Sequence, residues 1–412
     1  MTAANAAGGR RSGPMGVGII GAGNISDEYL RSLTSYPDIQ VLGIADLDLE
    51  RAAAQAAKYG VPFSGSTADL LALPDIELVV NLTVPAVHAS VALEAIGAGK
   101  HVWGEKPFAL DRASAAAILS AAEAAGVVVG NAPDTVLGEA VQHSHRLLRA
   151  GRIGEPQTVL TLMQGPGPDA WHPRPQFLFA RGAGPLFDIG PYYFATLVQL
   201  LGGIESVQAV GHRAQAERVI GSGPDAGASF PVEVFTHVSV LTRFRSGVVG
   251  TSIYSFDSPV RRQLFEITGS RGTLEVPVSG FDGPSRVFPA GGSDAEWERI
   301  DPPGVPQERG VGVLEMARAI RAGRPPRADG LLAAHVLDAM LAVEESIESG
   351  LPVTVRSEVG DIDAVDVDWD PAAATLHAEI PAEPGLHDPE PHDPEPRAPH
   401  VHSTPPQNGE AA

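Results

Sequence analysis

The sequence predicts an α/β protein of two domains: an N-terminal doubly wound parallel sheet, then an α+β domain with a large open, mainly antiparallel sheet. Three observations predict it. A glycine-rich turn, Gly21-Ala22-Gly23-Asn24-Ile25-Ser26, follows the first apolar run and opens a helical pattern. Up to residue 130, short apolar runs without polar alternation are separated by single helical stretches, the pattern of strands buried on both faces. From Glu205 onward the β-like runs lengthen and are joined by short turns, as in an antiparallel meander.

The elements follow in order. Residues 1–14 are small, polar and Gly-rich. Arg10 and Arg11 raise the question of an export signal, but the apolar stretch 15–20 is too short for a signal core, so a disordered leader is expected. Strands are predicted at 15–20, 39–45, 78–82, 101–103 and 127–130, with helices at 25–33, 50–59, 87–98 and 112–125. Gly99 and Gly126 stand where helix C-caps belong, and Asp111 where an N-cap belongs. This first domain covers 15–133. The second, 134–370, begins with a helix at 135–149 and a strand at 157–164. A Pro- and aromatic-rich loop follows at 165–185, then a helix at 188–201. β runs come at 232–245, 248–256, 263–268 and 272–276, and helices at 311–322 and 331–348. From Pro371 to the end, Pro, Glu and His dominate, with a near repeat at 387–391 and 392–396. Such a segment cannot bury enough apolar area to offset its ordering entropy, so a disordered tail is expected.

Composition narrows the function classes. The chain has 412 residues, 50 acids against 29 basic residues, a net charge of −21 and no cysteine. Phosphate backbones and anionic lipid surfaces are repelled by such a balance. Thiolate metal sites, disulfides and thiol nucleophiles are excluded. No apolar run approaches the ~20 residues that span a bilayer. Thirteen of the acids, against one arginine, lie beyond residue 357, so the folded body is only mildly acidic. Exclusion of nucleic acid therefore rests more on the lack of a basic face or binding motif.

The glycine turn sits between a strand and a helix, the context in which a dinucleotide fingerprint acts in a Rossmann domain. Gly21 would permit the tight turn and Gly23 would let backbone approach a pyrophosphate at the positive helix terminus; Ser26 replaces the third glycine. Asp46 ends the second strand, 20 residues after Ser26. A carboxylate there would accept bonds from the adenine ribose. Asp46 and Asp48, with no arginine between them, favour NAD over NADP. A glycine turn that binds nothing is the plainer alternative.

Lysine is rare: Lys58, Lys100 and Lys106 stand against 26 arginines. Lysine can give up its proton when its environment demands it, and arginine cannot. Lys106, in Gly104-Glu105-Lys106-Pro107, lies just past a strand's C-terminal end, where doubly wound sheets bind ligands. Pro107 holds Lys106 to an extended conformation. Otherwise Lys106 is a surface residue in a turn.

Together, the Gly-x-Gly-x-x-Ser turn, Asn81-Leu82-Thr83-Val84-Pro85-Ala86-Val87-His88 and Glu105-Lys106-Pro107 resemble the glucose-fructose oxidoreductase, inositol dehydrogenase and rhizopine-catabolism (Gfo/Idh/MocA) family over residues 15–354. The resemblance implies a Rossmann domain, a C-terminal domain whose open sheet carries the substrate site and an oligomer interface, and NAD chemistry at a secondary alcohol. It implies that Gly21, Gly23, Asn24, Ile25, Ser26, Asp46, Asn81, Thr83, Pro85, His88, Glu105 and Lys106 line the cofactor. Lys106 would reach the reacting hydroxyl. The family's Asp-x-Gly-x-His motif reads Asp188-Ile189-Gly190-Pro191-Tyr192 here, with Tyr192 in place of histidine. Four residues apart, Asp188 and Tyr192 would share a helix face. A phenol beside a cation can relay a proton; a buried aromatic packing against Tyr193 and Phe194 is the alternative. Asp134, Trp171 and His172, in segments resembling an uncharacterised branch, are further substrate-contact candidates.

Other signals carry less. His143 and His145, two apart on a helix, are expected to be exposed polar residues. The aspartates at 361, 363, 366, 368 and 370 lack the glycine and glutamate of a calcium loop, so no metal site is expected. The expectation is thus a cytoplasmic NAD-dependent oxidoreductase of a sugar, cyclitol or related polyol, forming a homodimer or homotetramer, with neither nucleic acid nor membrane as partner. The alternatives are tightly held NAD used transiently in elimination or glycosidic cleavage, and a cofactor-sensing regulator.

Overall fold

The computed structural model describes residues 12–278, 280–291 and 296–376. The leader up to residue 11 and the 387–396 repeat lie outside them. The first domain runs β1 (Met15–Ile20), α1 (Asn24–Leu33), β2 (Ile39–Ala45), α2 (Leu49–Tyr59), β3 (Phe63–Gly65), α3 (Thr67–Leu71), β4 (Leu78–Asn81), α4 (His88–Gly97), β5 (His101–Gly104), α5 (Arg112–Ala125) and β6 (Val129–Asn131). Its six strands are parallel in the order β3-β2-β1-β4-β5-β6, with all of β1 and β4 buried. The order reverses between β1 and β4, which opens a crevice at their C-terminal ends. Caps act as the residue types require: Asp48 and Asp111 accept first-turn N–H groups, and Gly60 and Gly126 close α2 and α5 in the left-handed region. The short β3 and α3 carry too little periodicity to be seen in sequence.

The second domain continues with α6 (Glu139–Arg149), β7 (Pro156–Gln164), α7 (Gly184–Asp188), α8 (Gly190–Leu201), β8 (Ile204–His212), β9 (Glu217–Val219), β10 (Ser229–Pro231), β11 (His237–Phe244), β12 (Val249–Ser255), β13 (Arg262–Gly269), β14 (Gly272–Glu275), β15 (Ser285–Pro289), β16 (Glu298–Ile300), α9 (Val311–Ala322), α10 (Gly330–Ser349) and β17 (Val353–Thr354). Nine strands form one sheet, β16-β15-β14-β13-β7-β12-β11-β8-β17, antiparallel except where β12 runs parallel to β7. One face is covered by α8 and α10; the other leaves Leu160, Val210, Leu241 and Val249 exposed. Among the described residues no helix is long and apolar enough to cross a membrane.

Several expectations change. The helix expected at 135–149 starts only at Glu139, because Gly138 is extended and the residues before it form a separate tight turn. The helix expected at 188–201 is two helices: Pro191 offers no N–H to continue α7, so Asp188 ends α7 and Tyr192 lies in α8. Order also persists past Pro371. Thr375 and Leu376 donate their backbone N–H groups to Asp38 in the first domain, and Arg318 binds Asp38 and the carbonyls of Asp370 and Ala373. His143 and His145 are buried rather than exposed. The segment leading to this strap covers their helix: Val365 N–H donates to Gln142 Oε1, and Arg146 reaches the Val365 carbonyl.

The chain returns to the first domain through α9. Trp103 of β5 is fully buried, and a Cβ on Gly312 would lie 2.1 Å from its ring. Glycine at 312 is therefore what lets α9 seat against β5. Arg321 grips Glu77 with two bonds of 2.7 and 2.9 Å, and Arg112 binds Asp338 and Glu345 of α10. These contacts hold the two sheets as one body around the crevice.

Candidate active site

The cofactor end is built from short-range geometry. Gly21 has φ +106°, and a Cβ there would meet the Leu82 backbone at 2.7 Å. Glycine is needed at 21 on both counts. A Cβ on Gly23 would meet nothing within 4 Å, which leaves room for a pyrophosphate over the N–H groups opening α1. Ser26 is fully buried; its hydroxyl donates to the Gly23 carbonyl (2.7 Å) and accepts from Gln55 (2.8 Å). Serine thus replaces the usual glycine with its polar atom satisfied. Asn24 and Ile25 follow in the first turn of α1.

Asp46 accepts the Ala22 N–H at 2.7 Å, the Asp48 N–H at 2.9 Å and Arg51 at 2.7 Å. Burial pushes its carboxyl up, but Arg51 and the two N–H groups outweigh that and hold it below the usual range. The acid is ionised where the adenine ribose would lie. Arg51 was not singled out in sequence, because it lies beyond the Asp46-Asp48 pair on the first turn of α2.

The Asn81 segment and the Glu105-Lys106-Pro107 segment are tied together. Asn81 donates to the His88 carbonyl (3.0 Å) and accepts from the Thr83 hydroxyl (2.6 Å). The two His88 ring nitrogens lie 2.8 Å from the Pro107 carbonyl and 2.9 Å from that of Thr83. His88 is buried and Pro85 exposed. The first therefore braces the loop under Lys106, while the second is open to solvent.

Lys106 crosses to the second domain. Its Nζ lies 2.9 Å from both the carbonyl oxygen and Oδ1 of Asp188 and 5.4 Å from the centre of the Tyr192 ring. The break between α7 and α8 does not separate the three expected residues. Burial pulls the Lys106 ammonium down, yet Asp188 and Tyr192 more than compensate and the net direction is up. In this state Lys106 is a proton donor.

Beneath it lies a polar network that sequence reasoning missed. Tyr29 donates to Glu105 Oε1 at 2.8 Å, and the Lys106 N–H reaches Glu105 Oε2 at 3.1 Å. Arg309, from the loop before α9, lies 3.2 Å from Asp134 and 3.8 Å from Glu105. Asp134, expected at the substrate, has no exposed surface. Its carboxylate accepts from Arg309 and from the Gly310 N–H (2.6 Å), so it positions the Arg309 loop instead of lining the cleft. Burial pushes its carboxyl up to about 6 against the pull of Arg309. A loop arginine 175 residues away carries no sequence signal of this pairing.

Asp188 borders a cleft of about 420 Å³ bounded also by Ile189, Trp171, Gln164, Gln263, Arg261 and Arg262 among others. Trp171 presents a largely exposed ring. His172 packs edge-on between Trp171 and Phe177, and its Nδ1 accepts the Arg174 N–H, so it supports Trp171 rather than bounding the cleft. Buried Arg218 binds Asp169, Asp257 and two carbonyls, which fixes the loop carrying Trp171.

Comparison with known proteins agrees with this fold. Residues 15–132 match the model of an oxidoreductase family with an NAD-binding Rossmann fold, and residues 141–275 match the GFO/IDH/MocA C-terminal domain. The chain is similar to a 1,5-anhydro-D-fructose reductase of Ensifer adhaerens, at 30% identity over 264 residues, or 62% of this chain and 74% of that one. It is also similar to an inositol 2-dehydrogenase of Saccharopolyspora erythraea, at 26% identity over 84% of this chain and 97% of that one. A solved NAD-binding oxidoreductase from Klebsiella pneumoniae shares the fold with a TM-score of 0.75, at 24% identity over 84% of this chain and 100% of that one.

Proposed function

Since the chain belongs to the Gfo/Idh/MocA family of NAD-binding oxidoreductases, we propose that it oxidises a secondary alcohol of a sugar, cyclitol or related polyol, or reduces the matching carbonyl. The observation that carries this is Lys106 Nζ, held 2.9 Å from Asp188, which bounds the cleft, and 5.4 Å from the centre of the Tyr192 ring. A proton-handling group stands there at the C-terminal end of β5, where a doubly wound sheet presents its ligands.

Gly21 and Gly23 would let the pyrophosphate of NAD approach the start of α1, with buried Ser26 fixing that turn from beneath and Asp46 taking the adenine ribose, and with Asn24, Ile25, Thr83 and Pro85 along the rim. Bound NAD supplies a hydride acceptor. The protein's share is the proton. In the reductive direction the Lys106 ammonium, charged through Asp188, donates to the nascent alkoxide. In the oxidative direction the substrate hydroxyl takes over part of the Asp188 bonding, the Lys106 proton passes out by Tyr192, and the freed amine accepts the hydroxyl proton. Trp171 offers an apolar face to the ring. Proton transfer of this kind contributes ~10²–10⁴-fold.

NAD is the favoured cofactor because ionised Asp46 repels a 2′-phosphate, although Arg51 beside it softens that repulsion. The exposed apolar row of Leu160, Val210, Leu241 and Val249 on the nine-stranded sheet supports a dimer or tetramer through a second copy of that face. A cytoplasmic location suits an enzyme drawing on that cofactor pool.

The test is NADH absorbance with the full chain, NAD and a panel of sugars and cyclitols. Accumulation supports a dehydrogenase. Turnover without accumulation identifies transient oxidation in elimination or glycosidic cleavage, and ligand binding without any turnover identifies a sensor.

A further inference from the structure

We propose that the substrate carries an anionic group, a carboxylate or phosphate, and that Arg261, with Arg262 beside it, binds that group across the cleft from Asp188. The proposal rests on the dehydrogenase reading above and narrows its substrate class from polyols in general to acidic ones.

Position comes first. Arg262 opens β13 and pairs with Gln164 of β7, and Gln263 pairs with Met163. Successive side chains of a strand point to opposite faces. Arg261 therefore shares the Met163 and Gln263 side, toward the cleft, and Arg262 sits at its rim; both bound the same cavity as Asp188 and Trp171. A Cβ on Gly165 would lie 3.7 Å from Arg261 Cγ and 3.9 Å from its Nη1. The arginine stem is thus laid along a glycine at the end of β7. The turn that carries it is fixed: Ser258 accepts the Val260 N–H at 3.2 Å, Gln164 donates to Ser258 at 2.9 Å, and the Ser258 N–H bonds the Gly165 carbonyl at 3.1 Å.

Charge comes second. The buried or half-buried arginines that tie the fold together, Arg112, Arg218, Arg318 and Arg321, each bind a carboxylate. Among the described residues neither Arg261 nor Arg262 has an ion pair or a side-chain hydrogen bond. Asp188 is the one carboxylate bounding the cleft, and Lys106 already holds it. The wall facing the cleft therefore carries two solvent-exposed guanidiniums with no carboxylate partner, in a chain of net charge −21. A neutral polyol offers them hydroxyl acceptors but no charge to match. A guanidinium fork matches a carboxylate or phosphate with two parallel bonds, and its local field offsets the repulsion an anion meets from the rest of the surface.

The test uses matched ligands on the full chain with NAD present: D-glucose against D-glucuronate and D-glucose 6-phosphate, and D-galactose against D-galacturonate. Dissociation constants come from thermal-shift titration, with NADH formation recorded alongside. Binding of at least one acidic member ~10-fold or more tighter than its neutral partner is expected, weakening with added salt. In Arg261→Ala that advantage disappears while NAD affinity and melting temperature hold, and Arg261→Lys retains part of it. The uronate and phosphate arms tell which anion is taken; preference for either supports the proposal. It is overturned if neutral members bind as tightly, if no member binds, or if the preference survives Arg261→Ala. Arg261-dependent binding of acids with no NADH from any ligand would overturn the dehydrogenase reading and leave the anion site standing. NADH from neutral polyols alone would do the reverse.

Discussion

The two ends of the crevice are built on different scales. At the cofactor end, Gly21, Gly23, Ser26 and Asp46 lie within 26 residues of one another and bond mainly to their own neighbours. At the substrate end, Lys106 meets Asp188 across 82 residues, Asp134 meets Arg309 across 175, and Trp171 is held by a loop that Arg218 anchors. A local site is specified by spacing. A site at a seam is specified by how two sheets pack, so its failures should appear in chemistry and stability before they appear in cofactor binding.

The sharpest break of that contrast is Lys106→Ala. Turnover should fall ~10²–10⁴-fold while NAD affinity stays near its starting value, since the pyrophosphate and ribose contacts lie elsewhere. Lys106→Arg should fail likewise, because arginine keeps the charge and cannot give up the proton. Near-normal turnover in either would remove Lys106 from the mechanism.

The glycines supply the converse. Gly23→Ala should fold normally, its methyl pointing into open space, and lose cofactor affinity. Gly21→Ala should lose both stability and cofactor, because its Cβ collides with the Leu82 backbone at φ +106°. Melting temperature and NAD titration on the pair separate a binding glycine from a folding one. Equal melting temperatures would sink the distinction.

What was legible in sequence follows the same division. The strands at 15–20 and 39–45 and the helix at 112–125 stand where periodicity and caps place them. The Lys106, Asp188 and Tyr192 grouping was reachable only through resemblance, since nothing in spacing joins residue 106 to 188. Arg309 and Arg218 were invisible, as single arginines in loops. The burial of His143 and His145 was also hidden: a solvent-facing helix side and one covered by a returning strap have the same local sequence.

That strap permits two stability tests away from the chemistry. Arg318 and Asp38 are a buried ion pair, with side chains 8% and 1% exposed. Arg318→Ala strands the carboxylate and should cost about 3–5 kcal/mol in denaturant unfolding. A smaller loss would mean that the Thr375 and Leu376 N–H groups satisfy Asp38 unaided.

His145 is held neutral: burial, then Arg149, pushes it down to about 4. The unfolded chain therefore binds the extra proton first as pH falls below its ordinary value. Stability from this group is complete above about pH 6.5 and is lost toward pH 4, by roughly 3 kcal/mol in all. His145→Leu, which cannot protonate, should flatten that part of the profile. An unchanged slope would show that the acid loss comes from other groups.

The smallest effect expected lies at the cofactor end. Arg51 is half exposed and its bond to Asp46 is easily replaced by water, so its removal should leave melting temperature unchanged. Its consequence is in cofactor choice. Asp46 already receives the Ala22 and Asp48 N–H groups, and Arg51 supplies the positive charge that moderates its repulsion of a 2′-phosphate. In Arg51→Ala the ratio of NADP to NAD affinity should fall by about 5-fold or less, with NAD itself little changed. A rise in that ratio would mean that Arg51 guards Asp46 for NAD, and the local end of the crevice would then owe its specificity to a side chain outside its own turn.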